Sequence, residues 1–417
     1  MIKSTIRFST ALREKTRKQI ENLGYADIVI GIPSYFSQNT IGYVIEQAAK
    51  GLDRYFPDKK SLIFVSDGGS TDDTREVAES VDISKYNITK IVGIYRGIPG
   101  KGSALRAVFE ASEFLKAKVV ITFDADLRSI TPEWVNNLAQ PILKGYDFVA
   151  PYYKRWKYDG TITNTIAYNL TRALYGKKIR QPIGGDFAFS YKLVKDFLDK
   201  EVWETEIAKF GIDIFMTTTA IVDGYKLCQA RLGAKIHNEK NPSSDLSDMY
   251  REVVGTIFNL MEQESYESFW KKVKGSEDVE ILGEPIGIDP KPFEIDINGL
   301  IEYFKIGYNN FAPIWKNILE EQDFKIIEKL FMVEKVEDFI MPIETWVRTV
   351  YRYANYFHLT PRQEFKVLNT MIPLYQARVA SIVNELKDKN VEEAENYYDC
   401  QAKMFEDMKD YLIKIWG

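Results

Sequence analysis

The stretch Val119-Val-Ile-Thr-Phe-Asp-Ala-Asp126 constrains the chain most. Apolar and β-branched residues run straight into two carboxylates separated by one small residue, the pattern of a buried strand that stops at a polar edge. Side chains alternate along an extended chain, so Asp124 and Asp126 can point to the same side about 7 Å apart. That suits one divalent cation carrying a diphosphate, although Asp-x-Asp pairs also cap helices and decorate turns.

The same pattern recurs upstream. Residues 27–33, 61–66, 89–95 and 118–123 read as strands, and helices are expected over about 39–55 and 101–116 between them. Strands alternating with helices of that length imply an α/β fold with a doubly wound, mainly parallel sheet, and ligands bind such sheets at the carboxyl ends of the strands. Pro33, Asp67, Arg96 and Asp124 all follow strand ends. An amphipathic helix over 5–23 precedes this unit. A helix over 132–143, a strand over 147–151 and a helix over 162–175 continue it. Arg180-Gln-Pro-Ile-Gly-Gly-Asp-Phe-Ala-Phe189 reads as a turn feeding a strand, followed by an apolar helix over 207–222 and a strand over 225–232.

Beyond residue 250 the character changes. Residues 271–298 are rich in Gly, Pro and charge, and 299–416 are helical in pattern with breaks near Gly307, Pro342, Pro361 and Asn390. The expected organisation is a catalytic domain over 1–250, a connector over 251–298 and an all-helical domain over 299–417. The helical domain is expected to steady the sheet domain without supplying its main ligand site, so that truncation near Lys271 leaves some ligand binding by the sheet. Tyr351, Tyr353, Tyr356 and Phe357 add aromatic area that fills its own core or offers a homodimer surface.

Among 417 residues, 55 Lys plus Arg stand against 60 Asp plus Glu, and no block of like charge suggests a nucleic-acid or polybasic membrane partner. No run of about 18 apolar residues suggests a membrane span. Cys228 and Cys400 are too few for a disulfide framework. With no apolar signal stretch at Met1-Ile-Lys-Ser, a cytoplasmic location is expected.

Several residues carry candidate chemistry. Asp67-Gly-Gly-Ser-Thr-Asp-Asp-Thr74 reads as a turn with a helix cap or as a nucleotide pocket in which the acid meets base or ribose. Pro99-Gly-Lys-Gly-Ser-Ala-Leu105 lacks the P-loop spacing, yet Lys101 at a glycine-flanked helix start favours an anionic ligand. His237 follows a strand and could join Asp126 around Mg²⁺ or Mn²⁺, or be an ordinary histidine. His358 has only the ordinary reading. Asp213, alone in an apolar helix, needs a partner if buried and is a paired structural acid or a site acid. Arg155, in Tyr152-Tyr-Lys-Arg-Trp156, suits an anionic acceptor or is a solvated loop arginine.

Pro33-x-Tyr35, Asp67-Gly-Gly-Ser-Thr-Asp-Asp-Thr, Gly100-Lys-Gly-Ser-Ala-Leu and Asp124-Ala-Asp, in that order, resemble the nucleotide-sugar glycosyltransferases of the GT-A fold. Gln181-Pro-Ile-Gly-Gly-Asp186, Phe210-Gly-Ile-Asp-Ile214, His237 and the helical tail look like the mannosylglycerate, glucosylglycerate and glucosyl-3-phosphoglycerate synthases, retaining enzymes that make compatible solutes or their precursors. The resemblance covers about residues 25–240. It departs at Asp-Gly-Gly-Ser, where many relatives have Asp-Asp-Gly-Ser, and at Asp213, where glucosyl-3-phosphoglycerate synthases tend to have Glu.

The resemblance implies Pro33, Tyr35, Asp67, Lys101, Asp124 and Ala125 around a nucleotide sugar, UDP-glucose or GDP-mannose. It implies Asp126 and His237 on a divalent cation, Gly184 and Gly185 offering N–H groups to a glycerate-type carboxylate, and Asp213 beside the reacting sugar. A nucleotidyltransferase that makes a nucleotide sugar is the alternative enzyme class, although Pro33-Ser-Tyr-Phe-Ser-Gln38 stands where its glycine-rich basic loop belongs. A sugar-nucleotide sensor without turnover is the non-enzymatic alternative.

Overall fold

Strands form where the β-branched and apolar runs predict them, at β1 (Ile28–Ser34), β2 (Ser61–Asp67), β3 (Ile88–Ile94), β4 (Val119–Thr122) and β5 (Phe148–Lys154). The chain is described from a computed structural model over residues 9–237, 246–361 and 364–417. The remaining strands are β6 (Lys177–Lys178), β7 (Ala188–Ser190), β8 (Leu227–Ala234), β9 (Glu277–Asp278) and β10 (Ile281–Leu282). The first helix is Glu14–Leu23, shorter than the expected 5–23, whose residues 5–8 lie outside the described residues.

One sheet has the order β10-β8-β5-β7-β4-β1-β2-β3, and β6 pairs with β9 beside it. All the pairings are parallel except those of β7, which runs antiparallel between β4 and β5. The order descends from β3 to β1 and then jumps to β4, so the switch point of this doubly wound sheet lies between β1 and β4. A switch point is where connecting loops diverge and ligands bind at the strand ends in sheets of this kind. Asp124 stands two residues past the end of β4.

Helices cover both faces. On one, Ile45 and Leu52 of helix Ile41–Tyr55 and Trp134 and Leu138 of helix Pro132–Leu143 pack with Ile30, Ile63 and Ile121. On the other, Phe109 of helix Lys101–Phe114, Phe197 of helix Tyr191–Asp199 and Phe215 of helix Ile212–Val222 share a core with Phe148 and Phe189. This second core continues without interruption into the C-terminal helices, through Trp270, Trp315, Trp346 and Tyr375. Burying such large side chains contributes roughly 1.5–3 kcal/mol each.

The C-terminal half is helical as expected, with a capping box on Asn390 starting helix Val391–Asp407 and Pro342 preceding helix Ile343–Leu359. Tyr351, Tyr353 and Phe357 are fully or almost fully buried, as the core-filling reading expects, while Tyr356 is half-buried. Two expectations need correction. Gly307 does not break its helix: Ile297–Ile318 runs through it, and the glycine is buried against Pro373. The 162–175 helix opens with a π-turn at Thr163–Ala167 before the α-helix Tyr168–Tyr175.

That π-turn is where the C-terminal helices grip the sheet. Gln401 Nε2 donates to Asn164 O at 2.7 Å and Trp346 Nε1 to Thr165 O at 2.9 Å. Lys157 Nζ donates to the carbonyls of Leu386, Lys387 and Lys389 at 2.8, 2.8 and 2.9 Å, where a helix end leaves carbonyls without partners. Arg180 pairs with Glu395 at 2.8 Å. The division into catalytic domain, connector and helical domain stays a proposal. Its middle stretch adds β10 to the main sheet, and Phe293 O accepts from Trp156 Nε1 at 2.8 Å.

Candidate active site

Three segments converge at the switch point. The chain leaves β4 at Phe123 and presents Asp124; helix Lys101–Phe114 begins with Lys101; helix Ile212–Val222 carries Asp213 in its first turn. A Cβ on Gly102 would stand 1.9 Å from Ile207 O, so only glycine lets the first helix start approach the 3-10 turn Glu206–Ala208 that leads into the second this closely. Lys101 Nζ then reaches Asp124 Oδ1 at 2.8 Å and Asp213 Oδ2 at 3.0 Å. Asp213 Oδ1 is buried and has no hydrogen-bond partner among the described residues.

A second lysine closes the arrangement. Lys235, just past β8, donates to Asp124 Oδ2 at 2.7 Å, to Gly184 O at 2.7 Å and to Asp186 Oδ2 at 2.9 Å. The Tyr153 hydroxyl also donates to Asp186 Oδ2, and Asp186 Oδ1 accepts the Asp124 backbone N–H at 2.8 Å. Gly185, at φ +87°, has no room for a side chain: a Cβ would lie 2.1 Å from Asp124 Oδ2.

Burial and charge oppose one another throughout this cluster. Burial raises the Asp124 carboxyl, but Lys101 and Lys235 outweigh it and hold the group well below the usual carboxylate range. Asp213 is raised by burial and by the Asp124 charge, against the pull of Lys101. Asp186 is pushed up to about 6 by burial, with Lys235 lowering it and the Asp124 charge raising it. Both ammoniums are favoured by their carboxylates over burial.

Lys101, Asp124 and Asp213 are all expected from the sequence, and the fold brings them together. Lys235, Asp186 and Tyr153 are not, and they complete the cluster. An isolated lysine after the apolar Leu232-Gly-Ala was the available signal, because a lysine is seldom buried without a partner.

Other expected site residues take different places. Asp67 is wholly buried under its own turn, accepting from Gly69 N–H at 2.8 Å, Ser70 N–H at 2.7 Å, Ser70 Oγ at 2.7 Å and Ser34 Oγ at 2.8 Å. Those donors fill its oxygens, so the turn reading describes Asp67 in this structure. Tyr35 is 61% exposed above that turn, with half-buried Pro33 ending the crevice floor. Ala125 packs into the core. Gly184 N–H donates to Gln181 O at 3.1 Å and so faces its own turn, a correction to the paired-glycine expectation. Arg155 pairs with Asp159 at 2.7 Å and lies over the Tyr153 ring, at the border of the cluster. Burial raises the Asp159 carboxyl, but Arg155 and His237 hold it below its ordinary value. His358 stacks on Trp416, far in role from any site.

Asp126 and His237 are half-buried on loops bonded to each other: Arg128 N–H donates to Ile236 O at 2.8 Å and Ile236 N–H to Ser129 Oγ at 2.9 Å. A carboxylate and an imidazole on adjoining loops fit Mg²⁺ or Mn²⁺ as a donor set. Among the described residues no group of three or more His, Cys, Asp or Glu could hold a metal, so the chain would supply two ligands and leave the others to phosphate and water.

Residues 29–203 match the family described as glycosyl transferase family 2. That span is a glycosyl transferase family 2 domain. Within it lie Asp67, Lys101, Asp124 and Asp186, whereas Asp213, Lys235 and His237 come from beyond it. The chain is 25% identical over 174 residues to mannosylglycerate synthase of Rhodothermus marinus, covering 40% of this chain and 43% of that one. It is 28% identical over 139 residues to an uncharacterized protein of Methanocaldococcus jannaschii, covering 33% of this chain and 50% of the relative. The matched stretch thus spans half the length of these curated relatives or less. Among solved structures, it is similar to glucosyl-3-phosphoglycerate synthase from Mycobacterium tuberculosis in complex with Mg²⁺ and uridine diphosphate, with 22% identity and a TM-score of 0.42 over 58% of this chain and 82% of that one. No helix among the described residues is long and apolar enough to cross a membrane.

Proposed function

We propose that this protein is a retaining glycosyltransferase that moves a hexose, glucose or mannose, from a nucleoside diphosphate sugar to D-glycerate or 3-phosphoglycerate, making a compatible solute or its precursor. The observation that carries this reading is the Asp213–Lys101–Asp124 bridge at the switch point of a family 2 sheet. One Asp213 oxygen is tied to Lys101, while the other is buried without a donor. A hydroxyl of a bound sugar or acceptor is the neutral donor that satisfies it. The acceptor class is supported by the relative named mannosylglycerate synthase.

In this reading Tyr35 offers its exposed ring to the base, and Asp124 orients the ribose and sugar under the hold of both lysines. Asp126 and His237 hold the divalent cation, which when bound supplies positive charge to the departing diphosphate. The bond from the sugar C1 to the diphosphate oxygen breaks as the bond from C1 to the acceptor oxygen forms on the same face. The acceptor's hydroxyl proton passes to the departing phosphate oxygen. Asp213 orients the hydroxyls and forms no covalent glycosyl-enzyme. The Gly185 N–H and Arg155 at the cluster's border address the acceptor's anionic groups.

The test is a screen of UDP-glucose and GDP-mannose against glycerate and 3-phosphoglycerate with Mg²⁺ or Mn²⁺. Transfer to one of these acids supports the reading. Turnover that joins a nucleotide to a sugar phosphate, with no sugar transfer, contradicts it.

A further inference from the structure

A lysine ammonium carries three N–H donors, so where they go separates a lysine that can meet a ligand from one that cannot. Lys101 directs two, to Asp124 Oδ1 at 2.8 Å and Asp213 Oδ2 at 3.0 Å, and keeps one for an incoming oxygen. Lys235 directs all three inward, to Asp124 Oδ2, Gly184 O and Asp186 Oδ2 at 2.7, 2.7 and 2.9 Å. It is 7% exposed, and its ammonium lies 5.4 Å from the centre of the Tyr153 ring.

We infer that Lys235 is a positioning residue for sugar transfer, acting through Asp124 and the Gly184–Asp186 turn and making no contact with the donor diphosphate. This rests on the glycosyltransferase reading above. Asp186 shares the role. Fully buried, it holds the Asp124 backbone through Oδ1, while Lys235 holds the Asp124 side chain on the oxygen that Lys101 does not touch. Asp124 is thereby fixed at both backbone and carboxylate. The Gly184 carbonyl is drawn to the same ammonium, so the acceptor-side turn and the donor-side aspartate share one anchor. Without it, two buried carboxylates face each other with no cation between them, and Asp124 turns away from its set orientation.

Full-length wild type, Lys235→Met, Asp186→Asn and Lys101→Met are compared by calorimetric titration with UDP and GDP in the presence of Mn²⁺, then by steady-state transfer. Lys235→Met should lower kcat by about 10²-fold, as a misplaced reacting group does, with a rise in the nucleoside diphosphate Kd, through the displaced Asp124 alone, that is clearly smaller than that of Lys101→Met. Lys101→Met should raise that Kd at least about tenfold. Asp186→Asn should repeat the Lys235→Met pattern, and the double variant should be little slower than the slower single, because the two residues act as a unit. A Lys235→Met Kd that rises as far as that of Lys101→Met, an unchanged kcat, or fully multiplicative losses in the double variant would overturn the assignment. If Lys235→Met does not fold, the near-isosteric Asp186→Asn decides by the same split. Wild type that binds neither nucleotide overturns the glycosyltransferase reading and this assignment together; wild type that binds and transfers, while Lys235→Met loses as much affinity as Lys101→Met, overturns this assignment alone.

Discussion

Lys101 and Asp213 stand 112 positions apart in the chain, yet Lys101 Nζ lies 3.0 Å from Asp213 Oδ2. The contact joins the start of a helix within the matched span to a helix beyond it, and it leaves Asp213 Oδ1 buried and without a partner among the described residues. A carboxylate so placed is a ready acceptor for a hydroxyl and is already steadied by a cation.

Asp213→Asn keeps the shape and removes the charge. It should lower kcat by roughly 10²–10³-fold, because the carboxylate aligns groups whose charge changes in the transition state. The nucleoside diphosphate Kd should stay within about twofold, a split that transfer kinetics beside calorimetry will measure.

Lys101→Met acts differently. It removes the shared partner of two buried carboxylates, which should destabilise the fold by about 3 kcal/mol or more. A chemical-denaturation midpoint measures that loss, and the weakened donor binding should accompany it. A variant of native stability would show that the bridge matters less than its burial implies.

Metal removal is the third expectation. Chelator should abolish transfer, since a departing diphosphate needs its charge neutralised. Asp126→Ala and His237→Ala should each weaken Mn²⁺ binding, read by electron paramagnetic resonance, with little change in thermal midpoint because both residues are only half-buried. Full activity of both variants in chelator would remove the cation from the account.

Truncation after Trp270 has a different expected outcome from the one the sequence alone suggests. The C-terminal helices share the core of the sheet and grip the π-turn through Gln401, Trp346 and Arg180, so the shortened chain should lose cooperative folding. Circular dichroism and hydrogen exchange will show it. A folded fragment that still binds nucleotide would restore the more independent catalytic domain.

Much of the fold is legible in the sequence. Strands buried on both faces appear as uninterrupted apolar runs, and glycines and polar residues mark where they stop, so β1, β2 and β4 and the residues at their ends can be read directly, while the half-buried edge strand β3 is read from its β-branched residues. Asp213 stands out as one acid in an apolar helix. Lys235 and Asp186 do not, because an ion pair between distant segments leaves no local periodicity. β9 and β10, of two residues each, are too short to show alternation. Asp67 resembles a ligand group because its motif cannot say whether the acid faces the crevice or its own turn; its oxygens bond to Gly69, Ser70 and Ser34. Gly307 resembles a helix break, whereas a glycine can also serve close packing of one helix on another.

The most direct test of the central claim is the stereochemistry of the product. Purified protein is given a nucleoside diphosphate hexose with an α-anomeric carbon, glycerate or 3-phosphoglycerate, and Mn²⁺, and the new glycosidic bond is read by NMR. The account predicts an α-linked hexosyl acid from wild type and a greatly reduced rate from Asp213→Asn with the same anomer. A β-linked product, or Asp213→Asn at the wild-type rate, would contradict it.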